Sequence, residues 1–355
     1  MTATAEETFA GVKPVEERHR IDEAGLDRWM RETVEGYAGP LTVRQFKGGQ
    51  SNPTYRLDTP GATYVLRRKP SGPLLPSAHA VDREYRVVAA LHQAGFPVAR
   101  PFGLCVDESV IGAMFYVMAM VEGRVFWNAT LPGSTPEERA SIYRAKIETL
   151  AKLHHYDPAA IGLGDYGRPG NYFARQVDRW TRQYRASETN PVPEMDRLIA
   201  FLPGTVPPQE RTSVVHGDYR IDNMIYEAQA PRVVAVLDWE LSTLGDPLAD
   251  LSYLLMHWAM PADGRSGIAG IDFAALGIPT IEEAVDLYCG LTGRAGLPDL
   301  DWYFAYNLFR FAAILQGIAG RVRDGTAASP QAMQYVERVG PLAKAAWEYA
   351  ERAGA

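Results

Sequence analysis

Two short stretches, Val215-His216-Gly217-Asp218-Tyr219-Arg220-Ile221-Asp222-Asn223-Met224-Ile225 and Val236-Leu237-Asp238-Trp239-Glu240, set oxygen-bearing side chains beside small apolar runs. An aspartate, four residues and an asparagine are followed by an apolar pair, and a further apolar run ends in another aspartate. Val214-Val215, Met224-Ile225-Tyr226 and Val233 to Leu237 read as strands, so Asp218, Asn223 and Asp238 fall at loop positions held by rigid segments. The pattern suits phosphoryl transfer from a nucleotide. That reaction needs magnesium held by hard oxygen ligands on the phosphates, and a carboxylate to take the proton of the attacking hydroxyl. Asp218 is then the base, and Asn223 and Asp238 hold the metal. Glu240, two residues past Asp238, either joins a second metal site or faces solvent.

These residues resemble the aminoglycoside phosphotransferase-like kinases. That family is related to the protein kinases and carries a His-Gly-Asp-x-x-x-x-Asn catalytic loop with a metal-binding aspartate after the next strand. The resemblance runs from about Phe46 to about Tyr253. The stretch from Leu237 to Leu251 looks especially like the branch found alone in bacteria and also fused to acyl-CoA dehydrogenase domains. It implies a bilobal protein-kinase-like fold that uses ATP and Mg2+ to phosphorylate a hydroxyl of a small molecule. For this branch the implied acceptor is a hydroxyacyl-CoA, and a hydroxylated acid or thioester is the first expectation. In the kinase-like pattern His216 braces the catalytic loop, and Asp250 resembles the carboxylate that anchors it from a neighbouring helix.

The elements that must position this chemistry are legible upstream. Leu41 to Phe46, Thr54 to Leu57 and Thr63 to Arg68 are rich in β-branched and aromatic residues. They are separated by Gly48-Gly49 and Thr59-Pro60-Gly61, so they read as consecutive antiparallel strands. Gly48 and Gly49 allow close backbone approach to phosphates, with Ser51 and Asn52 as further donors; the competing reading is an ordinary hairpin turn. Tyr64-Val65-Leu66-Arg67 occupies the place of the kinase Val-Ala-Ile-Lys. Arg67 is thus the expected phosphate cation and Glu84, on a helix over Val81 to Ala94, its partner. Lys69 competes, although Pro70 is set to turn the chain away from the sheet. By resemblance, Met118 borders the adenine pocket, and the main chain of Ala119 and Val121 bonds the adenine edge.

A helix over Ile21 to Tyr37 leads the chain, and Ala113 to Val121 returns to strand, which gives the order β, β, β, α, β, β. Beyond Gly123, helices dominate: Pro136 to Tyr156, Gly170 to Ala186, Pro193 to Leu202 and most of Pro247 to Ala355. The expected fold is therefore α+β, with a small antiparallel β-rich N-terminal lobe over residues 1–122 and a larger helical C-terminal lobe over 123–355.

Composition narrows the function. Of 355 residues, 46% are hydrophobic, and 36 Lys plus Arg against 43 Asp plus Glu leave a net charge of −7, with no field that favours nucleic acid or anionic lipid. Nor does that excess show the strongly acidic cleft that a polycationic sugar needs, so an aminoglycoside or amino-alcohol kinase is the alternative. No window reaches the roughly 18 apolar residues of a membrane span, and Met1 to Arg20 is polar and acidic, which points to a cytoplasmic protein with a small-molecule partner. The oligomeric state is open. Cys105 and Cys289 read as buried reduced thiols, and His154-His155 as structural, because adjacent residues do not share a helix face. Trp302-Tyr303-Phe304 and Phe309-Arg310-Phe311 read as core, with Arg310 a candidate for the acceptor pocket. Two rivals stand. Arginine in place of lysine suggests a catalytically weak nucleotide-binding regulator. A metal-dependent hydrolase built on His216, Asp218 and Asp238 would leave the upstream strands unexplained.

Overall fold

The β-branched runs pair as their spacing requires. In chain order the first half is β1 (Val12–Lys13), α1 (Glu23–Thr33), β2 (Thr42–Phe46), β3 (Thr54–Asp58), β4 (Thr63–Arg68), α2 (Val81–Gln93), β5 (Pro101–Cys105) and β6 (Phe115–Ala119). The computed structural model describes residues 10–48, 52–70, 80–262, 265–323 and 336–355. Six strands form one antiparallel sheet in the order β1-β2-β3-β4-β6-β5. The edge strand β1 was not anticipated, because two residues are too few to show a period.

Period-two alternation on β4 decides the rest. Tyr64 and Leu66 join Leu26 and Met30 of α1 with Tyr55, Leu57, Phe115 and Val117 in a compact apolar cluster. Val65 and Arg67 point to the other face. Asp22 starts α1 by accepting the Gly25 N–H at 2.9 Å, which satisfies one of the orphan donors of the first turn.

The second half contains α3 (Pro136–His155), α4 (Tyr172–Ser187), α5 (Pro193–Phe201), β7 (Ser213–Val215), β8 (Met224–Tyr226), β9 (Val233–Val236), β10 (Thr243–Gly245), α6 (Leu248–Ala259), α7 (Phe273–Leu276), α8 (Ile281–Thr292), α9 (Asp301–Arg323) and α10 (Val339–Arg352). The expected three strand-like runs become four, paired as β8–β9 and β7–β10. β10 escaped notice because Thr243-Leu244-Gly245 runs straight into Asp-Pro, a turn signature. A large apolar cluster fills this half. Val87, Val88 and Leu91 of α2 belong to it, while the helix itself packs against β5 and β6 of the sheet and the turn over Trp239–Leu241. Both cysteines are free and buried. Trp302, Tyr303, Phe304 and Phe309 are core. The His154 side chain is buried, its Nδ1 at 2.7 Å from the Tyr288 hydroxyl and its Nε2 at 3.4 Å from Asp250, whereas His155 is exposed. Among the described residues no helix is long and apolar enough to cross a membrane.

Candidate active site

A cavity of about 540 Å³ lies between the cleft face of the sheet and the helical half. Its walls include Gly48, Thr54, Val65 and Arg67 from the sheet and Glu84 from α2. The segment from Met118 to Gly123, together with Asp222, Leu237, Asp238 and Trp239, completes it. Met118, Ala119 and Val121 therefore all face this space. The Ala119 N–H is already committed to the Arg100 carbonyl at 2.8 Å, so the carbonyl is the main-chain group it has left to offer there. At the end of the segment a Cβ on Gly123 would collide with the Tyr226 carbonyl oxygen, and Arg124 forms a β-bridge with Tyr226 that ties the segment to β8. Gly49 and Ser51 lie outside the described residues. Asn52 is buried, and its amide donates to Glu240 Oε2 at 3.5 Å, which places Glu240 half-buried across from the sheet.

Arg67 meets Glu84 at 3.1 Å, and Glu84 is only 2% exposed. The guanidinium also reaches Asp238 at 3.2 Å, a contact that spacing alone did not suggest. Burial opposes the charge on Arg67, yet Glu84, with Asp238 beyond it, holds its pKa above the ordinary arginine value. Burial raises the Glu84 carboxyl pKa, and Arg67 restrains that rise. Lys69 is spent differently: its main-chain N–H bonds the Met114 carbonyl at 2.9 Å, and it is not among the cavity-lining residues.

Below the cavity, the loop after β7 is tied down from three sides. Asp250 of α6 accepts the His216 and Gly217 N–H groups at 2.6 and 2.8 Å. His216 Nε2 lies 2.8 Å from the Leu237 carbonyl and its Nδ1 is 3.1 Å from the Asp218 N–H, so Nδ1 accepts and Nε2–H donates. Gly217 sits at φ +87°, where a Cβ would also crowd the Leu241 carbonyl oxygen, and glycine fits that turn. The loop thereby presents Asp218. Its Oδ1 accepts the Tyr253 hydroxyl at 2.9 Å, its Oδ2 accepts the Asn223 amide at 3.0 Å, and Arg220 lies 3.0 Å from Oδ1. Burial works to raise the Asp218 pKa, but Arg220 first, then the Tyr253 hydroxyl and Arg310, bring it below the ordinary aspartate value.

Asn223 is fixed to the same frame, because its carbonyl accepts the Leu237 N–H at 2.8 Å where β8 pairs with β9. Asp238 follows β9 in a left-handed conformation, φ +64° and ψ +62°, a costly backbone state that functional sites tend to retain. Among the described residues, no group of three or more His, Cys, Asp or Glu could hold a metal ion by itself.

Sequence reasoning passed over two residues at the site, Asp222 and Tyr253, and a buried lysine, Lys146, that feels the charge of Asp222. Asp222 lines the cavity and pairs with Arg220 at 3.1 Å and Arg265 at 3.6 Å. Tyr253 stands three residues after Asp250, hence on the same face of α6, and that spacing was the available signal. Lys146 of α3 is buried, its Nζ 4.3 Å from the Tyr143 ring centroid and 5.3 Å from that of Trp258. Burial lowers its pKa to about 7, with Asp222 pulling the other way. Between that value and its ordinary one the unfolded chain holds a proton that the folded chain has released, so stability from this group rises with pH through the window. Lys146→Met is therefore expected to stabilise most below pH 7, its advantage over the parent shrinking by about 2 kcal/mol between pH 7 and pH 9. Urea unfolding at the two pH values tests this, and a pH-independent difference would disprove it.

Comparison with known proteins places this geometry. The model of the phosphotransferase enzyme family matches residues 42–284. The chain belongs to that family. It is 43% identical over 351 residues to acyl-CoA dehydrogenase family member 11 of Gallus gallus, covering 96% of this chain and 45% of the relative. The chain spans less than half the length of the curated relatives it matches. A crystal structure from Ralstonia eutropha JMP134, provisionally named an aminoglycoside phosphotransferase, is 52% identical with a TM-score of 0.86, covering 94% of this chain and 99% of that one. Aminoglycoside phosphotransferase APH(4)-Ia, solved with AMP-PNP and hygromycin B, shares the fold at 14% identity and TM-score 0.60, with 93% and 100% coverage. This member of the family thus has the bilobal, protein-kinase-like α+β fold, with a small antiparallel sheet above a larger helical half.

Proposed function

We propose that the chain is an ATP- and magnesium-dependent phosphotransferase that phosphorylates a hydroxyl of a small molecule, with a lobe boundary near residue 122. The observation that carries this reading is that the cavity brings Arg67 and Glu84 together with Asp238, and that Asp218 and Asn223, bonded to each other, are held in the loop before β8, which pairs with the strand leading to Asp238. The segment from Met118 to Val121 receives the adenine, Gly48 lies near the phosphates, and Arg67 grips phosphate oxygens in its two-pronged fork. Asn223 and Asp238 would hold Mg2+ through a carboxamide and a carboxylate oxygen, hard donors that suit it. Bound there, the metal neutralises charge on the phosphate oxygens. Glu240, held by Asn52, stands beside this set. Asp218, kept ionised, orients the acceptor hydroxyl and takes its proton as the oxygen bonds to the γ-phosphorus and ADP departs.

For the acceptor, a hydroxyacyl-CoA or hydroxy acid is the reading that the surroundings support. Arg220 and Arg310 flank Asp218, and Arg265 stands behind Asp222, so a polycationic aminoglycoside would meet like charge. The name of the Gallus gallus relative belongs to acyl-CoA chemistry as well. The test measures ADP release with hydroxyacyl-CoAs, hydroxy acids, sugars and amino alcohols, alongside ATP binding with and without magnesium. Tight magnesium-dependent binding with no phosphorylated product would favour a nucleotide-binding regulator, and turnover of amino sugars alone would reverse the acceptor assignment.

The strand cation gives a further expectation. Arg67→Ala should weaken ATP binding and slow transfer, Arg67→Lys should keep part of the activity, and Lys69→Ala should have the smaller effect. Calorimetric titration of ATP into the three variants reads this directly. A larger loss in Lys69→Ala would transfer the role to Lys69.

A further inference from the structure

Arg310 lies in the interior of α9, yet it is 9% exposed and, among the described residues, forms no ion pair with a carboxylate. A guanidinium taken out of water without a counter-ion is costly, and native interiors rarely keep one idle. Arg139 is similarly buried, but its fork is spent on two main-chain carbonyls, Thr130 at 2.7 Å and Leu276 at 3.0 Å, which explains it as a structural strut. Arg310 gives one bond, to the Gly217 carbonyl at 2.7 Å, and that carbonyl immediately precedes Asp218. Its charged carbon lies 5.3 Å from the Tyr253 ring centroid and 5.6 Å from that of Trp180. Tyr253 is the residue whose hydroxyl rests on Asp218 Oδ1, where an acceptor hydroxyl would have to arrive. Asp218 acts on Arg310 only as a more distant charge.

We infer that Arg310 recognises the acyl oxygens of the acceptor. This rests on the phosphotransferase reading with Asp218 as base, and deepens it. The acceptor brings its hydroxyl to Asp218 in place of the Tyr253 hydroxyl, and sets an acyl oxygen against the remaining N–H groups of Arg310, with its hydrocarbon part against Trp180 and Tyr253. Two sources share that chemistry, the carboxylate of a free hydroxy acid and the carbonyl of its thioester.

The experiment compares the parent with Arg310→Gln and Arg310→Lys in the full chain, using a medium-chain hydroxy acid, its CoA thioester, and a diol of equal length. Binding is measured by calorimetry and phosphorylation by ADP release, with thermal melts to confirm folding. Arg310→Gln is expected to raise Kd and KM for acyl acceptors at least about tenfold more than for the diol, leaving the Kd for magnesium-ATP unchanged. If the carboxylate is the true partner, Arg310→Lys recovers part of the loss through its charge. If the thioester carbonyl is, lysine and glutamine lose alike. Equal losses on acyl acceptors and diol would reduce Arg310 to a prop for the Gly217 turn and overturn the inference, as would a parent that binds none of the three. Acyl binding that depends on Arg310 without any phosphorylation would instead count against the phosphotransferase reading and leave the recognition standing. Should glutamine fail to fold, the Arg310→Lys selectivity ratio decides alone.

Discussion

Asp218→Asn is expected to bind magnesium-ATP as the parent does and to turn over at least about 10²-fold more slowly, the loss that follows removal of a positioned general base. The substitution is nearly isosteric. It leaves Tyr253 and Asn223 a side-chain amide to contact in place of two carboxylate oxygens, and it touches neither Arg67 nor the Met118 to Val121 segment. Arg220 loses one of its two carboxylates and keeps Asp222 at 3.1 Å, so the loop is not expected to unfold. What disappears is the proton acceptor and its negative charge. Unchanged turnover on the phosphorylated acceptor would remove Asp218 from the mechanism, and a parallel collapse of ATP affinity would mean that the loop had moved.

The second large effect concerns Asp238. Asp238→Ala should abolish the tightening of ATP by magnesium, and Asn223→Ala should do so more weakly, because the cation loses its carboxylate in the first case and a neutral oxygen in the second. In the described site Asp238 also occupies Arg67 at 3.2 Å, while Glu84 holds the same guanidinium at 3.1 Å. Removing Asp238 therefore frees one prong of the fork without releasing the side chain, and ATP without magnesium should bind the variant no worse than the parent. Paired calorimetric titrations with magnesium and with a chelator separate the two contributions. A preserved magnesium effect would put the metal elsewhere.

What could be read in advance divides along a physical line. Asp218, Asn223 and Asp238 lie within one stretch of chain whose flanking strands are short and apolar, so their proximity is a local property. Arg67 and Glu84 were reachable because strand alternation and helix placement fix which way each points. Tyr253 and Arg310 lie 35 and 93 residues from the loop atoms they contact, and only the packing of α6 and α9 brings them there. Periodicity marks such residues as interior and is silent about their neighbours. The same limit hid the 3.2 Å reach of Arg67 to Asp238 and the commitment of the Ala119 N–H, both products of register between elements. β1 and β10 were lost to brevity.

The seat of α2 has a dynamic consequence. The helix that carries Glu84 packs on β5 and β6 and on the turn over Trp239–Leu241, while Arg67 sits on β4 of the same sheet. The ion pair is therefore braced within one unit, and separating Arg67 from Glu84 would require lifting the helix off the sheet. Amide exchange should then show α2 protected in step with β5 and β6.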